Sequence, residues 1–236
     1  MRQVILDTET TGLEPRLGHR IIELAGMELV NRRLTGNHFH RYLNPDRQID
    51  EGALQVHGIT SDFLQDKPRF ADIVGEFLEY VSGSELVIHN APFDTGFLNT
   101  ELERLALPAI EQHCKRVVDT LSMAREMHPG QRNNLDALCK RYGVDNSNRT
   151  LHGALLDCEL LAAVYLGMTR GQESLMMSMT DAESAQSAAL SGRLRPRPVC
   201  AVVPAEELTQ HDALLDAINH ESKGACLWLA GDSAAN

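Results

Sequence analysis

The order of the apolar segments constrains the fold more than any other feature. Apolar stretches at 2–6, 20–30 and 38–43 predict strands, and the polar segment at 31–37 predicts a hairpin turn between the last two. Further along the chain, predicted helices alternate with predicted strands. A hairpin followed by such alternation is typical of an α/β domain whose mixed sheet is flanked by helices.

The remaining elements are predicted from apolar spacing and from glycine and proline breaks. Residues 44–67 are predicted to be irregular, and a helix with apolar residues at helical spacing is predicted over 70–81. The later predictions are, in chain order, a strand at 85–90, a helix beginning near Phe93 or Asp94, a strand at 116–120, and helices at 121–127, 135–142 and 154–166.

Two carboxylates follow the first apolar run. Asp7 and Glu9 are two positions apart, and side chains at that spacing on a strand point to the same face. Neighbouring like charges raise each other's proton affinity, and a bound cation removes that cost. Asp7 and Glu9 are therefore predicted to begin a cation site.

Three further residues lie near the end of a predicted strand or on a helix that flanks the predicted sheet. Asp94 follows a predicted strand and a short turn, and Asp157 follows His152 by five residues. Open α/β sheets build their sites at such strand ends. Five helical residues separate two side chains by about 140°, so His152 is predicted to lie in the loop before the helix that carries Asp157.

Four carboxylates and one histidine suit two hard cations, Mg²⁺ or Mn²⁺, better than zinc. Two such ions can hold the attacking and leaving oxygens of a phosphodiester, and a histidine can then act as the general base. This donor set predicts metal-dependent phosphodiester hydrolysis.

Three segments, LDTETTG, HNAPFDTGFLNTEL and HGALLDCELLAAVY, resemble in order and spacing the three motifs of the DEDDh 3′–5′ exonucleases. The resemblance covers about residues 1–168 and implies a ribonuclease H-like fold. It implies that Asp7, Glu9, Asp94 and Asp157 bind metal and that His152 is the general base. It also implies a pocket for the 3′-terminal nucleotides that is lined by Thr8, Thr10, Leu13, His57, His89 and Phe93.

Within that family the whole chain is similar to the DnaQ-like proofreading subunits of bacterial DNA polymerase III. The resemblance implies an exonuclease domain at 1–168, a linker at 169–200 and a segment at 201–236 that binds the catalytic (alpha) subunit of the polymerase. The small, polar composition after Gly167 predicts that the linker is flexible. A small accessory subunit is a further possible partner of the catalytic domain.

Two short segments of the tail resemble partner-binding motifs. Residues 172–177 resemble a motif for the sliding clamp, in which Gln172 would enter a polar subsite and Leu175 and Met177 an apolar pocket. The run Leu227, Trp228 and Leu229 is predicted to anchor the chain in a groove of the polymerase subunit.

The net charge of −11 argues against a wide basic face for binding polyanions, so nucleic acid is expected at a small site that metal ions or partners support. Five cysteines without a CxxC pair are expected to be free thiols in a reducing bacterial cytoplasm. The N-terminus leads directly into a strand and no apolar run is long enough to cross a membrane, so neither a secretory signal nor a membrane partner is expected.

These features predict a proofreading 3′–5′ exodeoxyribonuclease that takes the single-stranded 3′ end of DNA and releases mispaired nucleotides as 5′-monophosphates. Two alternatives stay open. An enzyme with the same chemistry could trim the 3′ ends of RNA, and a mainly structural polymerase subunit could retain the fold.

Overall fold

A computed structural model describes residues 1–147, 149, 151–170, 204–222 and 228. The chain separates into two units, Met1–Thr180 and Asp181–Asn236. The first unit contains the sheet and its helices, and the second contains one described helix.

The first unit is built on a mixed five-stranded sheet with the order β3-β2-β1-β4-β5. Its strands are β1 Arg2–Thr10, β2 Ile21–Val30, β3 Arg33–Tyr42, β4 Glu85–Ile88 and β5 Arg116–Asp119. The first three strands pair antiparallel, whereas β4 runs parallel to β1 and β5 parallel to β4. The predicted α/β fold, a ribonuclease H-like mixed sheet flanked by helices, is confirmed.

Seven α-helices belong to the described part of this unit. They are α1 Glu51–His57, α2 Ser61–Leu64, α3 Phe70–Val81, α4 Ala91–Arg104, α5 Thr120–Met127, α6 Leu135–Tyr142 and α7 Ala154–Met168. Short 3-10 turns occur at Pro15–Leu17 and Ile110–Gln112.

The core lies in two layers, one on each face of the sheet. Alternation along β1 places Val4 and Leu6 in the layer that α3 and α4 cover, and Ile5 in the layer that α6 and α7 cover. All three side chains are fully buried. The same alternation continues to the end of β1 and decides which way its polar residues point.

Two predicted strand boundaries were wrong. β1 continues past Leu6 to Thr10, because β2 pairs with it along this whole length and holds its acidic residues in the strand. β3 begins at Arg33 instead of His38, because the hairpin turn has only two residues. These are Asn31 and Arg32, both with positive φ, at 49° and 63°.

The prediction that 44–67 is irregular was also wrong, since α1 and α2 lie there. Both helices are short, and α1 buries only His57, so no apolar stripe marks them in the sequence. α4 begins at Ala91, two or three residues earlier than predicted. The Asp119 carboxylate accepts hydrogen bonds from the backbone N–H groups of Asn90 and Ala91 at 3.1 and 3.4 Å, a contact that local sequence cannot show.

The described part of the second unit contains the helix α8, Ala205–Glu221. Leu208, Leu214 and Ile218 are exposed on it, and Trp228 is 80% exposed. The predicted clamp motif at 172–177 lies outside the described residues, as do most of the predicted linker, Leu227 and Leu229. Among the described helices, none combines the length and apolar character that a membrane span requires.

Candidate active site

A cavity of about 640 Å³ opens where β1 and β4 end. It is lined by Asp7, Thr8, Glu9, Leu13, His89, Asn90, Phe93, Asp94, Leu121, Arg125, Gln131, Asn133, Asn134, His152 and Asp157. The structure thus brings together the five candidate catalytic residues from three separate segments of the chain.

The polar side chains of β1 point to both faces of the sheet. Asp7 and Glu9 lie on the same face as Ile5, toward α7, and Thr8 points to the other face. Burial raises the pKa of Asp7 well above its usual value, and the charges of Asp94 and Glu9 add to the effect. Burial, reinforced by the charge of Asp157, raises the pKa of Glu9 to about 8. The expected repulsion between neighbouring carboxylates is therefore present.

Asp94 is held on the first turn of α4 and is 3% exposed. The Thr8 hydroxyl donates a 2.7 Å hydrogen bond to Asp94 Oδ1 and so joins β1 to α4. Burial raises the pKa of Asp94 to about 7, although the hydrogen bond from Thr8 acts in the opposite direction.

His152 and Asp157 approach the cavity from the start of α7. As predicted, His152 lies in the loop before the helix, where its backbone N–H donates to the carbonyl of Val56 at 3.1 Å. Asp157 is buried within the first turns. His152 Nδ1 lies 3.4 Å from Asp157 Oδ2, and the possible ligand atoms of Glu9, His152 and Asp157 all lie within 4.8 Å of one another.

The donor set fits a divalent cation. The pKa of Asp94 is raised to about 7 and that of Glu9 to about 8. Ionising all the buried carboxyl groups of this site is therefore unfavourable without a counter-ion. A divalent cation would offset their negative charge. Carboxylate oxygens with a single imidazole are ligands that Mg²⁺ and Mn²⁺ accept.

Arg149 is a site residue that sequence reasoning missed. Its Nε donates to Asp157 Oδ1 at 2.5 Å and its Nη2 to Asp157 Oδ2 at 2.6 Å. Burial would lower the pKa of Arg149, but the hydrogen bonds and the charge of Asp157 outweigh it, so that pKa is raised. An arginine in a polar loop is ordinary, and no sequence signal distinguished this one.

Glu23 is a second missed residue. It lies on β2 directly opposite Glu9 and is 2% exposed. One carboxylate oxygen accepts a hydrogen bond from the backbone N–H of Ala154 at 3.1 Å, and the other lies 2.7 Å from His40 Nε2. An acidic residue inside an apolar strand was the signal that could have identified it.

A second cavity, of about 420 Å³, adjoins the first and shares Glu9, Leu13 and Phe93 with it. It also contains Thr10 and His57, so every residue predicted for the nucleotide pocket lines one cavity or the other. Leu13 is 79% exposed at the shared wall.

His57 is oriented by its own backbone. Its Nδ1 accepts a hydrogen bond from the N–H of Ile59 at 2.9 Å, which places the proton of the neutral ring on Nε2. Among the buried side-chain polar atoms of the described residues, Nε2 is the one without a hydrogen-bond partner. The His57 ring lines the second cavity, and burial lowers its pKa, although the backbone carbonyl of Thr10 acts less strongly to raise that pKa.

The remaining wall residues are held by local contacts. His89 Nδ1 lies 3.0 Å from the hydroxyl of Thr120, which itself donates to the carbonyl of Ile88. After β1 the chain turns at Gly12, where a Cβ would lie 2.3 Å from the His19 ring. Only glycine fits this close approach, so the loop carrying Leu13 depends on it.

Solved structures with the same fold include nucleases. Exonuclease X, solved in complex with 5′ overhanging duplex DNA, is 28% identical, with a TM-score of 0.56 over 72% of this chain and 92% of that one. The nuclease domain of 3′hExo, a DEDDh family member bound to rAMP, is 20% identical, with a TM-score of 0.62 over 72% of this chain and 92% of that one. At that lower identity the likeness shows the fold alone.

Sequence relatives cover nearly the whole chain. The profile of a family described as Exonuclease matches residues 4–165. The DNA polymerase III subunit epsilon of Salmonella typhimurium is 51% identical over 97% of this chain and 98% of its own length. That of Escherichia coli K12 is 50% identical over the same shares. The chain therefore belongs to the DNA polymerase III subunit epsilon family and carries the exonuclease domain at residues 4–165.

Proposed function

We propose that this protein is the proofreading 3′–5′ exodeoxyribonuclease subunit of a bacterial replicative polymerase. The observation that carries the proposal is the convergence of Asp7, Glu9, Asp94, His152 and Asp157 on one cavity at the end of β1 and β4. Membership of the epsilon family supports both the reaction and the assembly.

In this proposal four carboxylates, those of Asp7, Glu9, Asp94 and Asp157, hold two divalent cations, Mg²⁺ or Mn²⁺. When bound, such ions polarise the phosphodiester and lower the pKa of water. Asp7 and Glu9 present oxygens from β1, while Thr8 fixes the orientation of the Asp94 carboxylate through its 2.7 Å hydrogen bond. The buried carboxyl groups must lose their protons before they can act as ligands.

His152 is the proposed general base. A base at Nε2 needs the ring proton on Nδ1. Asp157 Oδ2 lies 3.4 Å from Nδ1 and would accept that proton once the Arg149 guanidinium no longer donates to Nδ1. Because His152 lies half exposed in a loop, its ring can reach a water molecule in the open cavity.

The adjoining cavity is the proposed pocket for the 3′-terminal nucleotides. Leu13 and Phe93 offer apolar surface for bases, and the His57 Nε2–H offers a hydrogen-bond donor. The other proposed contacts are Thr8, Thr10 and His89. A mispaired end frays more readily than a paired one, so it would enter this single-strand pocket more often and be released as a deoxynucleoside 5′-monophosphate.

The partner assignments are proposals from the resemblance. The exonuclease domain ends near residue 168, where α7 ends, and 169–200 would be a linker with a clamp-binding motif at 172–177. Residues 201–236 would bind the catalytic alpha subunit, with the exposed Trp228 in the anchor. A small third subunit and a bacterial cytoplasmic location also belong to this proposal.

The deciding experiment follows degradation of a 5′-labelled DNA primer, paired or 3′-mispaired, in Mg²⁺ and in chelator. An RNA oligomer and the Asp7→Ala variant serve as controls. We expect metal-dependent loss of single nucleotides from DNA, faster at the mispair and absent in the variant. Preference for RNA would make the protein an RNA-trimming enzyme, and inactivity of the folded protein would leave a structural polymerase subunit.

A further inference from the structure

Arg149 occupies both oxygens of a proposed metal ligand. Its guanidinium forms a two-pronged pair with Asp157, through contacts of 2.5 and 2.6 Å. The side chain of Arg149 is 6% exposed, as is that of Asp157, so this ion pair is shielded from solvent. The pair fills about two of the four lone-pair sites of the carboxylate, and the positive guanidinium repels a cation that approaches the others.

The same guanidinium also engages the proposed general base. Arg149 Nη2 lies 2.9 Å from His152 Nδ1, and an arginine can only donate, so Nδ1 accepts. An accepting Nδ1 leaves the proton of the neutral ring on Nε2, where a base needs a lone pair. In this arrangement neither Asp157 nor His152 is ready for its proposed role.

Arg149 has a second anchor at the edge of the site. Its Nη1 donates to Asp136 Oδ1 at 2.8 Å, and the side chain of Asp136 is 54% exposed on the first turn of α6. Asp136 does not line the first cavity, where the candidate catalytic residues converge. The guanidinium can therefore leave Asp157 and His152 while Asp136 keeps it close.

We propose that Arg149 is a built-in counter-ion that fills the place of a divalent cation at Asp157 and His152, and that metal binding displaces it toward Asp136. Without metal the guanidinium offsets one negative charge of the buried carboxylates, and a divalent cation that takes its place offsets two. The inference rests on the proposed role of Asp157 as a metal ligand.

The first test measures Mn²⁺ binding to the full-length protein by titration calorimetry, without substrate. Arg149→Gln removes the competing guanidinium, and we expect Mn²⁺ to bind about 5- to 10-fold more tightly than to wild type. Arg149→Lys keeps the charge but loses the two-pronged pair, so its affinity is expected to lie between the two. Without metal, Arg149→Gln is expected to melt at a lower temperature than wild type.

The matched control is Arg125→Gln, which removes a positive charge from the wall of the first cavity. We expect it to change Mn²⁺ affinity less than about twofold, because in this proposal the gain comes from competition at Asp157 and not from net charge. Equal gains in the Arg125 and Arg149 variants would overturn the proposal.

A spectroscopic readout follows Arg149 directly. In ¹⁵N-labelled protein, the Arg149 Nε–H signal, assigned by its loss in Arg149→Lys, should shift when Mg²⁺ is added. If the signal stays in place while Mg²⁺ binds, the metal does not displace the Arg149 guanidinium and the proposal is overturned.

Asp157→Asn separates the two proposals. If this variant loses Mn²⁺ affinity but Arg149→Gln binds no more tightly than wild type, the metal site stands and the counter-ion proposal fails. If Asp157→Asn binds Mn²⁺ as wild type does, Asp157 is not a ligand. The proposed metal site at Asp157 and the counter-ion proposal then both fail.

Discussion

Glu23 on β2 accepts a 3.1 Å hydrogen bond from the backbone N–H of Ala154, the first residue of α7. A carboxylate at this position satisfies an N–H that the helix itself cannot pair, and it complements the positive end of the helix dipole. The contact fixes the start of α7 against the sheet. It thereby positions His152 and Asp157 relative to the carboxylates of β1.

Replacing Glu23 by alanine is expected to weaken both folding and catalysis. The variant leaves the N–H of Ala154 buried and unpaired, so we expect the free energy of unfolding to fall by about 1–3 kcal/mol in urea denaturation. The loop of His152 also loses its support, so kcat should fall. Glu23→Gln keeps an acceptor oxygen and should retain most of the stability. A loss as large in the glutamine variant would show that the charge, and not the hydrogen bond, matters.

The metal-free protein is expected to lose stability as the pH rises. Glu9 and Asp94 have pKa values of about 8 and about 7, above those of the unfolded chain. The native state therefore binds more protons than the unfolded state in this interval, and the free energy of unfolding falls with rising pH. The contribution of these two groups to stability is fully present below the pKa values of the unfolded chain. It is lost as the pH rises through the pKa values of the folded protein, so the loss extends from roughly pH 4 to pH 8.

Urea unfolding in chelator at several pH values measures this effect. Glu9→Gln carries no titrating group at that position. The slope of its stability against pH should therefore be smaller than that of wild type, by up to about 1.4 kcal/mol per pH unit. Excess Mg²⁺ should reduce the slope for wild type, because the cation takes the place of the protons. Parallel pH curves for wild type and variant would contradict the pKa shift of Glu9.

Asp7→Asn is expected to separate activity from stability. Activity should fall by about 10³-fold or more, because an amide is a poor ligand for a hard cation and transition-state charge then goes uncompensated. The metal-free variant should melt at a higher temperature than wild type at pH 8, since one of several buried like charges is gone. Asp62→Asn, at an exposed position of α2, is the control and should change neither property. An Asp7 variant that is both inactive and less stable would indicate a structural role.

His57→Ala is expected to act on substrate binding. The Nε2–H of His57 has no protein partner among the described residues and lies beside the second cavity, so a bound nucleotide is its natural acceptor. Removing it should raise KM for a single-stranded DNA oligomer about 5- to 20-fold, with a smaller effect on kcat. His38→Ala, on the exposed part of β3, should change neither constant. A fall in kcat at constant KM would place His57 in the chemistry instead.

Local patterns predicted much of the fold. The bounds of α6, Leu135–Tyr142, agree with the prediction, and the apolar spacing over Phe70–Val81 predicted α3. Local patterns failed where distant contacts decide the structure. β1 stays extended past Leu6 because β2 pairs with it, and Asp119 caps α4 from another strand.

For the site, the sequence determined which side chains are available. The i, i+2 spacing of Asp7 and Glu9 and the position of His152 ahead of its helix follow from backbone periodicity, which is a local property. The tertiary structure alone decided that Arg149 closes on Asp157, that Glu23 caps α7 and that His57 Nε2 is left unpaired. The physical reason is that a hydrogen bond or a desolvated charge depends on which segments pack together, and residues as far apart as Glu23 and Ala154 meet only after the core has formed.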